Sequence, residues 1–97
     1  MLRFDKMTVK AQEALQQAQE VAARHENQSV EPVHLLAALV EQQDGVVPPL
    51  IARLGIRPEL ITQDIEREIA RLSKVQGFTQ QNLSRALNDV LERSFTE

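Results

Sequence analysis

His25 and His34 are the residues of this sequence best suited to acid–base or metal chemistry, and their placement argues for neither. His25 follows Arg24 where a helical pattern fades, and a partial positive charge at a helix C-terminus is favourable with the helix dipole. His34 falls in the first turn of an apolar segment, where a ring nitrogen can tie down the neighbouring loop. The two do not form a two-histidine helical metal motif, and the absence of cysteine removes thiolate ligands and nucleophiles alike. Glu66 and Glu68 lie on a solvent-facing helical stretch, a poor setting for a paired-carboxylate acid and base. The glycines at 45, 55 and 77 are isolated, so no Gly-Lys-Ser/Thr phosphate loop exists. The chain reads as a non-enzyme, with no catalytic residue, no metal site and no cofactor of its own.

The elements that would position any site are helical. Val33-His34-Leu35-Leu36-Ala37-Ala38-Leu39-Val40 is apolar almost all round, which predicts a short central helix buried on every side. Leu and Ala favour helix over a buried strand, and Pro32 suits the first helical position. Before it, Ala11, Ala14, Leu15, Ala18, Val21 and Ala22 recur at spacings of three and four, opposite Gln12, Glu13, Gln16, Gln17, Gln19 and Glu20. Thr8 is the natural N-cap of that helix and Asp5 a competing one. The alanine seam lets a neighbouring helix approach closely.

Further on, Pro48 and Pro49 fit the first turn of a short helix, with Gly55 as its C-terminal αL residue and Ile56 packing back over the end. Pro58 opens the next helix, whose stripe is Ile61, Ile65, Ile69 and Leu72, with Glu59, Gln63, Glu66 and Arg67 on a solvated face. Residues 73–82 read as a connector around Gly77. A last pattern runs through Leu83, Leu87, Val90, Leu91 and Ser94, with Ser84 as a second plausible cap. The fold class is therefore all-α, a five-helix bundle.

Composition narrows the function classes. Without Trp or Tyr and with three Phe in 97 residues, the core must be aliphatic. A net charge of −3 with eleven scattered basic residues disfavours nucleic acid. No apolar run approaches the roughly 20 residues that span a bilayer, and the start, Met1-Leu2-Arg3-Phe4-Asp5-Lys6, has no signal-peptide apolar region. A cytoplasmic address without membrane partners is the expectation.

The first and last helices echo each other. From the caps, Thr8, Ala11, Ala14, Leu15 and Ala18 fall at the same offsets as Ser84, Leu87, Val90, Leu91 and Ser94. Any capped amphipathic helix could match, but the pattern also fits a repeat. Glu31-Pro32-Val33-His34-Leu35-Leu36-Ala37-Ala38-Leu39, set behind Thr8, Ala11, Ala14-Leu15 and Ala18, resembles the amino-terminal repeat domain of Clp ATPases, nearest to the ClpB-type disaggregase chaperones. Leu54-Gly55-Ile56 and Leu72-Ser73-Lys74-Val75-Gln76-Gly77 extend the resemblance, the latter to a Leu-Pro-x-Val-x-Gly linker in which Ser73 replaces proline. The family's domain holds two similar four-helix repeats. The resemblance implies a first repeat over 1–72, a connector over 73–82 and, over 83–97, the first helix of an incomplete second repeat.

By that resemblance the chain is a substrate-engaging module of an ATP-dependent disaggregating chaperone, offering unfolded or aggregated polypeptide an apolar groove. ATP and Mg would belong to the hexameric full-length protein, not to this domain. Docking of an adaptor or co-chaperone is the competing reading, and a plain helical structural domain a third. Val33 stands where related unfoldases place a glutamate before the histidine, which speaks against phosphoarginine recognition of the ClpC kind. By position in the family, Thr8 and Leu87 are the candidate substrate-binding residues, although a cap and a core leucine would look the same. Leu83, Leu87, Val90, Leu91 and Phe95 form an apolar face that a second copy could cover as a two-fold dimer, or that could fold down on the rest of the chain. Association is the expectation.

Overall fold

The computed structural model describes residues 8–42, 45 and 47–95. Asp5 and the rest of the amino-terminal stretch lie outside the described residues, as do the side chains of 94 and 95. Among the described residues there are five helices and one two-residue pairing of strands. Helix α1 spans Val9–Arg24, α2 Pro32–Glu41, α3 Val47–Arg53, α4 Pro58–Ala70 and α5 Arg85–Phe95. Strands β1, Ser29–Val30, and β2, Asn82–Leu83, pair in parallel, with Ser29 opposite Asn82 and Val30 opposite Leu83. The fold is all-α, and no described helix is long and apolar enough to cross a membrane.

Local chemistry explains where most helices begin and end. The Ala11 N–H donates to Thr8 Oγ1 at 3.1 Å, which makes Thr8 the N-cap of α1. At the other end Glu26 takes φ +60°, and the Asn27 N–H donates to the Ala22 carbonyl at 2.8 Å, the 6→1 bond of a Schellman turn. Helix α3 closes the same way: Gly55 has φ +74° and the Ile56 N–H returns to the Ile51 carbonyl at 3.2 Å. The Ile56 side chain, expected to pack back over that end, is exposed.

The core has two halves joined by α1 and α2. Leu15, Ala18 and Ala22 of α1 meet Val30, Ala38, Leu87 and Leu91 in one cluster, with Ala11, Leu35 and Leu83 packed at its edge. Val21 meets Ala37, Ile65 and Ile69 in the other, edged by Val33, Val40 and Ile61. The alanine seam of α1 is what brings α2 close enough to serve both. Helix α2 is central, but it is not buried on every side as its composition predicts: Leu36 is exposed and Leu39 only half-buried. Its neighbours cover two flanks, and the apolar residues between those flanks face outward.

The carboxy-terminal segment folds down. Leu87 and Leu91 are buried against α1 and α2, so of the apolar face expected to await a second copy, Leu83 is partly covered and Val90 stays exposed. The helix itself starts at Arg85, because Leu83 is spent in β2 and Ser84 becomes the cap.

Candidate functional site

Of the two sequence-derived site residues, Leu87 belongs to the first core cluster and Thr8 caps the helix that runs into it. Thr8 is exposed at the tip of α1 with Val9 exposed beside it, and one turn later Ala11 packs against the cluster that holds Leu87. Leu87 has 0% exposure. Its side chain is consumed in seating α5 against α1 and α2, the core role that its position also allowed. Ser84 Oγ accepts from the Leu87 N–H at 3.0 Å, so cap and anchor are set by the same turn. Just outside this cluster, Val9 on α1 and Val90 on α5 are apolar and exposed, and so is Leu36 on α2.

Past the other end of α1 lies a polar latch. The Glu31 N–H donates to His34 Nδ1 at 2.8 Å, which leaves the proton on Nε2, and that Nε2–H donates to Asn27 Oδ1 at 3.0 Å. Asn27 Nδ2 in turn donates to the Ser73 carbonyl at 3.0 Å. His34 and Asn27 are both buried, and no buried side-chain polar atom among the described residues lacks a partner. Burial holds the His34 pKa below its ordinary value against an opposing pull from Glu31, with His25 adding slightly to the lowering. A neutral ring accepting at one nitrogen and donating at the other is a structural part, not a proton shuttle. The sequence reading found the ring's role in anchoring the neighbouring loop but missed Asn27, whose only signal was its place in a loop.

The latch continues into the connector. The Val75 N–H donates to the Glu26 carbonyl at 2.8 Å, Gln81 Nε2 reaches the Gln19 carbonyl at 2.9 Å, and the Ser84 N–H reaches the Val30 carbonyl at 2.9 Å. The segment from 73 to 84 is thereby strapped along the end of α1 and β1, and this delivers α5 to the cluster. His25, at the end of α1, folds its ring back so that Nδ1 lies 2.9 Å from the Val21 carbonyl, which also accepts from the His25 backbone N–H at 3.2 Å.

No group of three or more His, Asp or Glu among the described residues could hold a metal ion. A polar cleft of about 330 Å³ beside the latch, lined by Asn27, Glu31, Arg71 and Ser73 among others, carries no nucleophile paired to a base. What the geometry offers is a rigid helical frame with aliphatic side chains left at its surface.

Comparison with known proteins agrees with that picture. Residues 6–97 match the Clp repeat (R) N-terminal domain family. The chain is 36% identical over 94 residues to the chaperone protein ClpB of Clostridium perfringens, covering 93% of this chain and 11% of that protein. It is 38% identical over 92 residues to ClpB of Pseudomonas putida, covering 90% of this chain and 11% of the relative. With ClpB of Nitratidesulfovibrio vulgaris the identity is 43% over 72 residues, covering 74% and 8% respectively. The chain thus spans about a tenth of the length of these relatives.

Proposed function

The chain belongs to the Clp repeat N-terminal domain family, and from that premise we propose that it engages unfolded or aggregated polypeptide on behalf of an ATP-dependent chaperone. The observation that carries this reading is the set of large aliphatics exposed around a fully satisfied interior. Val9, Leu36 and Val90 stand on three helices that meet in one cluster, although the fold has no polar defect that would call for them there. In this reading Thr8, exposed at the tip of α1, is a contact, and Leu87 acts from below by holding α5 in place.

The physical logic is that of weak, non-directional capture. Covering one aliphatic side chain is worth about 1.5–3 kcal/mol gross, and association costs about 4–15 kcal/mol in lost freedom. A few such contacts give binding that is weak, reversible and tolerant of sequence, as a module handling many clients requires. ATP hydrolysis, magnesium and ring assembly belong in this reading to the full-length chaperone, since the chain has no phosphate-binding loop.

Fluorescence anisotropy of a labelled, permanently unfolded polypeptide tests the reading. The wild-type domain should bind with competition from unrelated unfolded chains, and Val9→Glu with Val90→Glu should weaken binding at least fivefold while leaving helicity unchanged. Saturable one-to-one binding of a single folded adaptor, with no competition from unfolded chains, would replace client capture by adaptor docking.

A further inference from the structure

Helix α3 gives one residue to the core. Of its seven residues only Ile51 is buried, while Leu50 and Leu54, four apart and hence on one helix face, are 54% and 64% exposed. The glycine turn at Gly55 then leads straight to Ile56 and, past Pro58, to Leu60, both exposed as well. Beside them an open recess of about 700 Å³ sits between the end of α3 and the start of α4, with Ile56, Arg57 and Leu60 in its walls. None of these residues belongs to either core cluster.

The corner also differs in charge from the molecule that carries it. From Gly45 to Pro58 the sequence has two cations, Arg53 and Arg57, and no acid, in a chain of net charge −3. Arg24, Arg67 and Arg71 each reach a carboxylate, whereas Arg53 and Arg57 form no ion pair with a described residue. Glu59 is the one acid lining the recess. Aliphatic side chains supply affinity without preference, and arginines beside them supply a preference for sign.

We infer that this corner is a second docking surface, fitted to a polypeptide segment that carries two large apolar side chains next to acidic residues. The inference rests on the reading of the domain as a polypeptide-engaging module and adds to it a place and a charge selectivity. The turn that builds the corner is held by Gly55, Pro58 and the Ile56 to Ile51 bond, so the docking surface is preorganised and little ordering is needed on binding.

The test uses three labelled peptides with the same two leucines and acidic, neutral or basic flanks, titrated at low and moderate salt. The wild-type domain should bind the acidic peptide at least fivefold more tightly than the basic one, with the difference shrinking as salt rises. Leu54→Ser should weaken all three at least threefold, and Arg57→Glu should abolish or invert the preference, with Arg53→Glu as a second charge reversal should Arg57→Glu alter the fold. Gln16→Ala, on the exposed outer face of α1, should leave binding and preference intact. Equal binding of the three peptides, or a preference that survives both charge reversals, would overturn the inference. Binding sensitive only to Val90→Glu would overturn it while leaving client capture in place, and no peptide binding at all would remove both. Self-association abolished by Leu54→Ser, without peptide preference, would reassign the corner to a second copy of the chain.

Discussion

Helices α1 and α5 are written in the same pattern and end in different surroundings. Each opens on a hydroxyl cap that accepts from the N–H three residues on, at 3.1 Å for Thr8 and 3.0 Å for Ser84. At the next shared positions the two diverge. Leu15 and Leu91 are both buried, but Ala14 has 1% exposure where Val90 has 45%. The difference lies in the neighbours. Helix α1 runs through both halves of the core, whereas α5 reaches only one of them, through Leu87 and Leu91. Periodicity and capping decide that a helix forms, and what lies alongside decides which of its apolar residues are covered. The larger side chain at the uncovered position leaves α5 with an exposed aliphatic where α1 has a covered alanine.

The largest way to break that comparison is to unseat α5. Leu87→Ala should cost about 2–5 kcal/mol, since a fully buried leucine leaves a cavity among Leu15, Ala18 and Leu91 that helices cannot easily close. Leu39→Ala, at the half-buried position of α2, should cost distinctly less in the same urea unfolding series. Equal losses would mean that Leu39 of α2 is packed as tightly as the seat of α5.

Next comes the latch that leads the chain from α1 toward α5. Asn27→Ala should cost about 1–3 kcal/mol, because it strands the His34 Nε2–H and the Ser73 carbonyl. The same latch makes stability pH-dependent. His34 has a lowered pKa in the fold, so below the ordinary imidazole range near 6.5 the unfolded chain takes up the proton more readily than the native one. The latch therefore contributes fully above about pH 6.5 and is lost progressively as pH falls through the window below it, by at most about 1.4 kcal/mol per pH unit. Urea midpoints between pH 5 and 8 should show this slope for the wild type, and His34→Gln should flatten it.

The caps sharpen the comparison at smaller scale. Thr8→Ala and Ser84→Ala should each cost about 1 kcal/mol, since the two bonds are alike in geometry. Glu26→Gly, at the αL end of α1, should stabilise the chain by about 0.5–1 kcal/mol, because glycine adopts that conformation without strain. Thermal unfolding of the three variants checks both. Gln16→Ala, on the outer face of α1, should stay within about 0.5 kcal/mol of wild type.

What the sequence made legible was local. The Thr8 and Ser84 caps, the prolines opening α2 and α4, the αL glycine after α3 and the Ile65 and Ile69 stripe all act within a turn or two of chain. What it hid depends on distant partners. The β1–β2 pairing joins residues 53 positions apart by two-residue strands, too short to carry a period. Asn27 is buried because a histidine seven residues on and a carbonyl from the connector both need it. Leu36 faces outward from a run that reads as buried all round, because an apolar run states that burial is wanted but not which side receives a neighbour.

Amide hydrogen exchange with and without an unfolded polypeptide tests the contrast between α1 and α5 most directly. In the free domain the amides of α5 should exchange faster than those in the middle of α1, since α5 is packed on one flank only. On addition of the unfolded chain, slowing should concentrate at the start of α1 and along α5. Equal protection of the two helices, with slowing confined to the polar face of Gln12, Gln16 and Glu20, would contradict the account.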